Sequence, residues 1–353
     1  FNFGVDFAVL QNRINITADA YRRLADGQIM KSTVPLETGE SSLTTNIGSV
    51  QNAGIELGVN FGVIRNQNFT WDVNVAFARN WSKIKELPSG DDVSNNWFIG
   101  ERLNVLRDYT YAGVITADGV TMHTINGDKH YTLQEVYDKY GPKSPNKLKW
   151  YEGQMAVNDW NDDGKINDED KQIYGCTDPK WTGSLSSTMT YKGFDFSFML
   201  YTKQGQWSRS YFHEQYMDIS DRGRQKMSFD YYIPAGTPVL DKATGDITYL
   251  ETPHMGAYPY PNNYEKTGGG YFSKSSSGVR YQKTSFVKVK NITLGYTFPK
   301  KWMSKIAVKH LRLYVNVLNP FCFTGYDGFD PEWASANLTD GGPASVTYQI
   351  GAN

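Results

Sequence analysis

The sequence predicts an all-β protein: a transmembrane antiparallel β-barrel wall of about nine strands with long loops on one side. Three observations carry this. Apolar and polar residues alternate strictly over long stretches, the signature of a sheet with one apolar and one wetted face. Short polar turns and long connections follow one another in regular succession, as brief periplasmic turns and extended outer loops do in an up-and-down barrel. The chain is also rich in aromatics and glycine, with Tyr 24, Trp 9 and Gly 33, which suits aromatic belts at membrane interfaces.

In chain order, Phe3, Val5, Phe7 and Val9 alternate with Gly4, Asp6 and Ala8. After a turn near Gln11-Asn12 the pattern resumes as Ile14, Ile16, Ala18, Ala20 against Asn15, Thr17, Asp19, Tyr21. A polar connection spans Arg23 to Thr45. The hairpin from Asn46 to Ile84 is the most regular: Ala53, Ile55, Leu57, Val59, Phe61 and Val63 share one face, and Gly54, Glu56, Gly58, Asn60 and Gly62 the other. Beyond the turn Arg65-Asn66-Gln67-Asn68, the apolar face is Phe69, Trp71, Val73, Val75, Phe77 and the opposite face is Thr70, Asp72, Asn74, Ala76, Ala78.

Alternation lapses over 85–179, apart from a short hairpin expected around Leu103 to Thr124 that adds no wall strand. Trp181–Tyr191 and Phe194–Tyr201 form a hairpin closed by Lys192-Gly193. A long aromatic segment covers 204–281. Ser285–Phe298 and Val308–Leu318 are two further strands joined through Pro299-Lys300-Lys301-Trp302. The loop Asn319–Ala344 precedes a last strand with Val346, Tyr348 and Ile350. Nine strands are odd in number, and an open sheet in lipid strands backbone groups at several kcal/mol each. Further strands are therefore expected to close the wall.

Composition excludes some partners. The 353 residues carry a net charge of -1 with no clustered Lys and Arg, which speaks against nucleic acid. No run reaches the roughly 18 apolar residues of a membrane-spanning helix. A mean hydropathy of -0.53 does not argue against a barrel, whose strands turn only alternate residues to lipid. Cys176 and Cys322 match no metal or redox spacing and read as two isolated thiols.

Asp159 to Asp170, DWNDDGKINDED, matches a twelve-residue calcium loop. A hard cation needs oxygen ligands at alternate positions. Asp159, Asn161, Asp163 and Asp170 would serve by side chain, Lys165 by its carbonyl, and Asn167 directly or through water. Gly164 supplies the sharp turn, and Asp170 stands where an EF-hand has Glu. No helix is expected before the loop. The competing reading is an acidic turn held by Asx hydrogen bonds without metal. Calcium here would stiffen an extracellular loop.

The aromatics of 204–281 (Trp207, Tyr211, Phe212, Tyr216, Tyr231, Tyr232, Tyr249, Tyr258, Tyr260, Tyr264, Tyr271, Phe272) could stack sugars, but a segment this long must first pack against itself. Trp71, Phe77, Trp81, Trp181 and Tyr191 read as interface-belt residues. Catalysis finds no support: His123, His130, His213, His254 and His310 stand alone, and no nucleophile elbow or phosphate loop is present.

Several stretches taken in order resemble one family. They are Asn46-Ile47-Gly48 with Asn52-Ala53-Gly54-Ile55-Glu56-Leu57; Asp159 to Asp170 followed by Ile173-Tyr174-Gly175 and Pro179-Lys180-Trp181-Thr182-Gly183; Tyr191-Lys192-Gly193-Phe194-Asp195; Phe286 to Tyr296; and Asn319-Pro320-Phe321 through Tyr326-Asp327-Gly328-Phe329-Asp330-Pro331-Glu332. Nearly the whole chain thus resembles the SusC/RagA-type TonB-dependent outer-membrane transporters. The resemblance implies the C-terminal part of a 22-stranded barrel, an even count within the usual range. Residues 85–179 and 204–281 would then be extracellular loop regions. The family's N-terminal extension, TonB box and plug have no counterpart in these residues, so the remaining barrel and plug polypeptide are expected as partners. The resemblance also implies a SusD-like surface lipoprotein, the TonB complex as energy source, and a glycan oligomer or peptide as substrate. The alternatives are a structural, scaffolding barrel subunit of a larger outer-membrane complex and a soluble glycan-binding sandwich.

Overall fold

The computed structural model describes residues 1–27, 29–33, 39, 42–46, 48–87, 90–141, 148, 151–216, 230–260, 280–335 and 344–353. Nine strands form one antiparallel sheet in simple chain order. They are β1 (Asn2–Val9), β2 (Ile14–Asp26), β3 (Ser49–Arg65), β4 (Phe69–Glu86), β5 (Trp181–Tyr191), β6 (Phe194–Gln204), β7 (Phe286–Thr297), β8 (Arg312–Thr324) and β9 (Thr347–Ala352). The strand count and order are those expected from the alternation, and 85–179 contributes no wall strand.

The apolar face has no core to cover. Ile55, Leu57, Val75, Phe194, Phe196, Leu294, Leu313 and Val315 are all exposed, and the register sets them side by side. Leu57 lies opposite Phe77 and Val59 opposite Val75. Met189 meets Phe196, which meets Leu294, which meets Val315. At the short-turn end a chain of rings closes this band. Phe69 sits 6.5 Å from Tyr191, Phe194 4.5 Å from Tyr296, and Tyr296 4.9 Å from Phe298. Such a band with an aromatic girdle is what a lipid-facing surface requires.

The turns follow local chemistry. Lys192 and Gly193 both have positive φ, 46° and 92°, as a two-residue primed turn demands. Asn66 accepts from the amides of Asn68 and Phe69 through its side chain.

Five expectations need correction. A bulge after Gly62 leaves Val63 unpaired and sets Ile64 opposite Trp71, so Ile64 takes the outward place assigned to Val63. The stretch after Arg23 is not an irregular connection: β2 runs on to Asp26, and Ile29–Thr33 pairs with Ser42–Asn46. The last turn contains a helical turn, Lys300–Met303, and β8 starts only at Arg312. That strand then continues through Asn319 (φ 52°) to Thr324, where a loop was expected. Finally, the segment around Leu103 to Thr124 is not one hairpin. Val105–Tyr109 pairs with Lys171–Cys176, Tyr111–Val114 with Met155–Val157, and Val120–Thr124 with Gly127–Tyr131.

Among the described residues, the largest buried cluster lies in this segment. Ile115, Val120, Met122, Val136, Tyr140, Tyr151 and Val157 form one buried cluster. Part of it comes from a helix the alternation gave no hint of, α1 (Leu133–Tyr140), capped by reciprocal bonds between Thr132 and Glu135.

Candidate functional site

The inner face of the wall is polar and low. Gly54, Glu56, Gly58, Asn60 and Asn74 all point away from the apolar band, with Glu56 opposite Asp19 on β2 and Asn60 opposite Asn74 on β4. Glycines on this face lie beneath larger neighbours. A Cβ at Gly54 would come 2.5 Å from the Tyr21 ring, and one at Gly295 2.6 Å from both Asp195 and Arg312. Across Gly295, Arg312 grips Asp195 with Nε at 2.9 Å and a terminal nitrogen at 2.5 Å. Asn316 links Thr293 (2.9 Å) to Gln349 (3.0 Å). The wall therefore offers hydrogen-bonding groups and little apolar surface to its interior.

At the mouth, the wall grips a loop. Lys288, 2% exposed, sends Nζ to both Asp330 oxygens at 2.9 Å and to Glu332 at 2.5 Å. Lys290 reaches the same Glu332 at 2.7 Å. Burial pushes the Glu332 carboxyl up, but the two lysines outweigh it and hold it below its usual range. This cluster was missed in the sequence. Its visible sign was two lysines two residues apart on the polar face of a strand.

A second tie joins the loop after β6 to the loop after β8. The hydroxyl of Ser210 lies 2.6 Å from His213 Nδ1, and His213 Nε2 lies 2.6 Å from Asp327. Tyr258 donates to the other Asp327 oxygen. Burial raises Asp327, but the bonds from His213 and Tyr258 lower it further, and the carboxyl ends below its ordinary range. His213 thus does not stand alone, and His123 and His254 likewise meet Asp128 and Asp230. The serine, histidine and aspartate are arranged as in a hydrolase, yet Ser210 and His213 are wholly buried. The same serine hydroxyl also meets Tyr326 and the His213 amide, so it has no approach for a substrate.

The loop aromatics mostly pack. Phe212, Tyr231 and Tyr232 are buried, and Tyr232 donates to Glu152 at 2.7 Å. Tyr249 is 68% exposed. Tyr264, Tyr271 and Phe272, and the Tyr216 side chain, lie outside the described residues.

In the 159–170 loop, Asp159 and Asp170 are fully buried. Asp159 accepts from the amides of Asp163 (3.2 Å) and Gly164 (2.9 Å), from Tyr140 (2.6 Å) and from Lys139 (3.3 Å). Asp170 accepts from Asn161 and Asn167. Asn161 takes the Asp163 amide, Asp163 that of Lys165, and Asn167 that of Glu169. Burial, with the Asp159 charge adding to it, holds the Asp170 carboxyl above its usual range. Among the described residues no three His, Cys, Asp or Glu side chains gather as metal ligands. The loop as found is knit by Asx-type bonds.

No family model matches the chain. The TonB-dependent receptor P39 of Formosa agariphila is 29% identical over 372 residues, covering 98% of this chain and 34% of its own length. The TonB-dependent receptor SusC of Bacteroides thetaiotaomicron is 28% identical over 356 residues, covering 99% and 31%. Among solved structures, the RagAB peptide transporter superposes with a TM-score of 0.66 at 18% identity, over 99% of this chain and 34% of that one. In sequence and in fold the chain is thus similar, over nearly its whole length, to the SusC/RagA-type TonB-dependent receptors.

This chain spans about a third of the length of the relatives it matches. The likeness places the apolar band in the outer membrane, and the proteins it is drawn from are TonB-dependent receptors, not enzymes. The superposition adds the fold: the nine-stranded sheet is a segment of a receptor barrel.

Proposed function

We propose that the receptor imports a glycan oligomer or a peptide across the outer membrane, and that this chain forms part of the barrel wall and outer loops. The importer works with a SusD-like surface lipoprotein as its lid, with the TonB complex as its energy source, and with the remaining barrel and plug polypeptide. The observation that carries the reading is the two-faced sheet: lipid-facing apolar residues outside, and Glu56, Asn60, Asn74, Asp195 and Arg312 inside. A polar wall suits passage of a hydrated cargo. Deleting the gene should abolish growth on one glycan or peptide source, and a tag on the receptor should retain a surface lipoprotein. Unchanged growth on every source, with another outer-membrane assembly lost, would replace transport by a scaffolding role.

We also propose calcium at the 159–170 loop, through Asp159, Asn161, Asp163, the Lys165 carbonyl, Asn167 and Asp170. Supporting this is the all-oxygen donor set and the burial of two carboxylates, Asp159 and Asp170, beside the Lys139 ammonium. The ion would stiffen the loop and displace Lys139. Terbium added to the purified receptor should luminesce through Trp160, be quenched by calcium, and bind more tightly to Lys139→Met. Absence of sensitised emission would leave the Asx-bonded loop as the whole account.

A further inference from the structure

The upper rim of the wall carries a cleft of about 370 Å³ that neither the inner face nor the loop ties use. Its lining includes Arg79, Trp81, Arg102, Lys180 and Trp207, with Glu101 as the one acidic residue. Arg79 and Trp81 continue the outward face of β4, in the same parity as Val75 and Phe77, and both are exposed. The cleft is therefore reached from the lipid side of the wall.

Depth follows from strand geometry. Phe69, in the girdle at the short-turn end, lies ten positions before Arg79 on the unbroken β4. At about 3.3 Å per residue and a tilt of about 40°, Arg79 stands about 25 Å higher, which matches the height of a barrel's apolar band. Arg79 therefore sits where the outer-leaflet hydrocarbon ends and headgroups begin.

The cations there are poorly neutralised. Among the described residues Arg79 and Lys180 make no ion pair; the Arg79 guanidinium lies 4.7 Å over the Trp81 ring. Arg102 is held by the carbonyls of Asn80 (2.7 Å), Asp178 (3.0 Å) and Pro179 (3.4 Å) and by the Cys176 thiol, and among the described residues it makes no ion pair. Lys83, exposed and on the same face, extends the row. Three cations against one acid, flanked by indoles at the lipid boundary, fit an anionic headgroup with sugar or acyl surface beside it.

We propose that this cleft binds a phosphate group of an outer-leaflet glycolipid. The inference rests on the outer-membrane placement and is independent of what the receptor transports. The test is native mass spectrometry of the full receptor with diphosphorylated lipid A, with its dephosphorylated form, and with inorganic phosphate as competitor. The wild type should retain the diphosphorylated lipid at least tenfold better than the dephosphorylated one. Arg79→Gln combined with Lys180→Gln should weaken retention about thirtyfold, from roughly fivefold per cation. Lys301→Gln, at the opposite end of the wall, should leave it unchanged, and heat-modified gel migration verifies that each variant is folded. Equal retention of the two lipids, no loss in the double variant, or an equal loss in Lys301→Gln would overturn the proposal. Displacement of the lipid by low-millimolar inorganic phosphate would also overturn it, marking a free-anion site.

Discussion

Replacing Lys288 by Met tests whether the ion cluster at the mouth holds the loop to the wall. The lysine Nζ contacts Asp330 twice at 2.9 Å and Glu332 at 2.5 Å, and the Lys288 and Asp330 side chains are only 2% and 7% exposed. Glu332 keeps Lys290, but among the described residues Asp330 is left with only the Glu332 amide at 3.0 Å. Removing one partner of a buried pair costs about 3–5 kcal/mol, because the other charge is stranded. The loop can relieve this by swinging out to hydrate Asp330, so the penalty is paid locally and not in the wall. At the lower figure, amides of 325–333 should exchange about a hundredfold faster, each 1.4 kcal/mol being about tenfold. Hydrogen-exchange mass spectrometry of the detergent-purified receptor reads this directly, with 55–61 on β3 as an internal reference. Lys288→Met combined with Asp330→Asn should regain part of the protection, since neither charge is then stranded. Exchange within threefold of wild type, or an equal change on β3, would refute the argument.

The same cluster should respond to acid. The folded Glu332 carboxyl titrates below its ordinary value, so its contribution is present above the unfolded value of about 4.3 and is lost as pH falls through the lower folded value. Exchange at 325–333 should thus be flat from pH 7 to 5 once corrected for intrinsic rates, and rise only below about 4; a rise near pH 6 would point to a histidine. In the tight turn, a Cβ on Gly193 would meet the Thr297 carbonyl at 2.8 Å, at a φ of +92°. Gly193→Ala should therefore cost about 1 kcal/mol or more, seen as a lower urea midpoint for the loss of heat-modifiable migration. An unchanged midpoint would show that the turn is not held in this geometry.

The wall was legible because its information is local. A period of two over Phe69, Trp71, Val73, Val75 and Phe77 needs no partner to be read, and lipid outside with water inside enforces it along the strand. The bulge was not legible, since either Val63 or Ile64 could be the extra residue until Trp71 and Asp72 fix the register. Helix α1 carried a readable Thr132-x-x-Glu135 start, but its eight residues are too few for periodicity to stand out. The loop sites depend on distant pairs. His213 looks solitary in sequence because Asp327 is 114 residues away, and Lys288 because Asp330 is 42 away.

This division follows from where apolar surface is placed. The wall presents most of its large apolar side chains to lipid, and its inner face buries apolar groups at a few places near the loop end, such as Val50 opposite Ile84, and Phe286. The larger buried apolar cluster lies away from the wall strands, around Val136, Tyr140 and Tyr151. Polar ties add to this: Lys288 with Asp330 holds the loop after β8, and Arg280 joins Asp108 between loops at 2.6 Å. Charges in such ties are strong only while water is kept out. A loop that begins to lift admits water and so weakens its own ties.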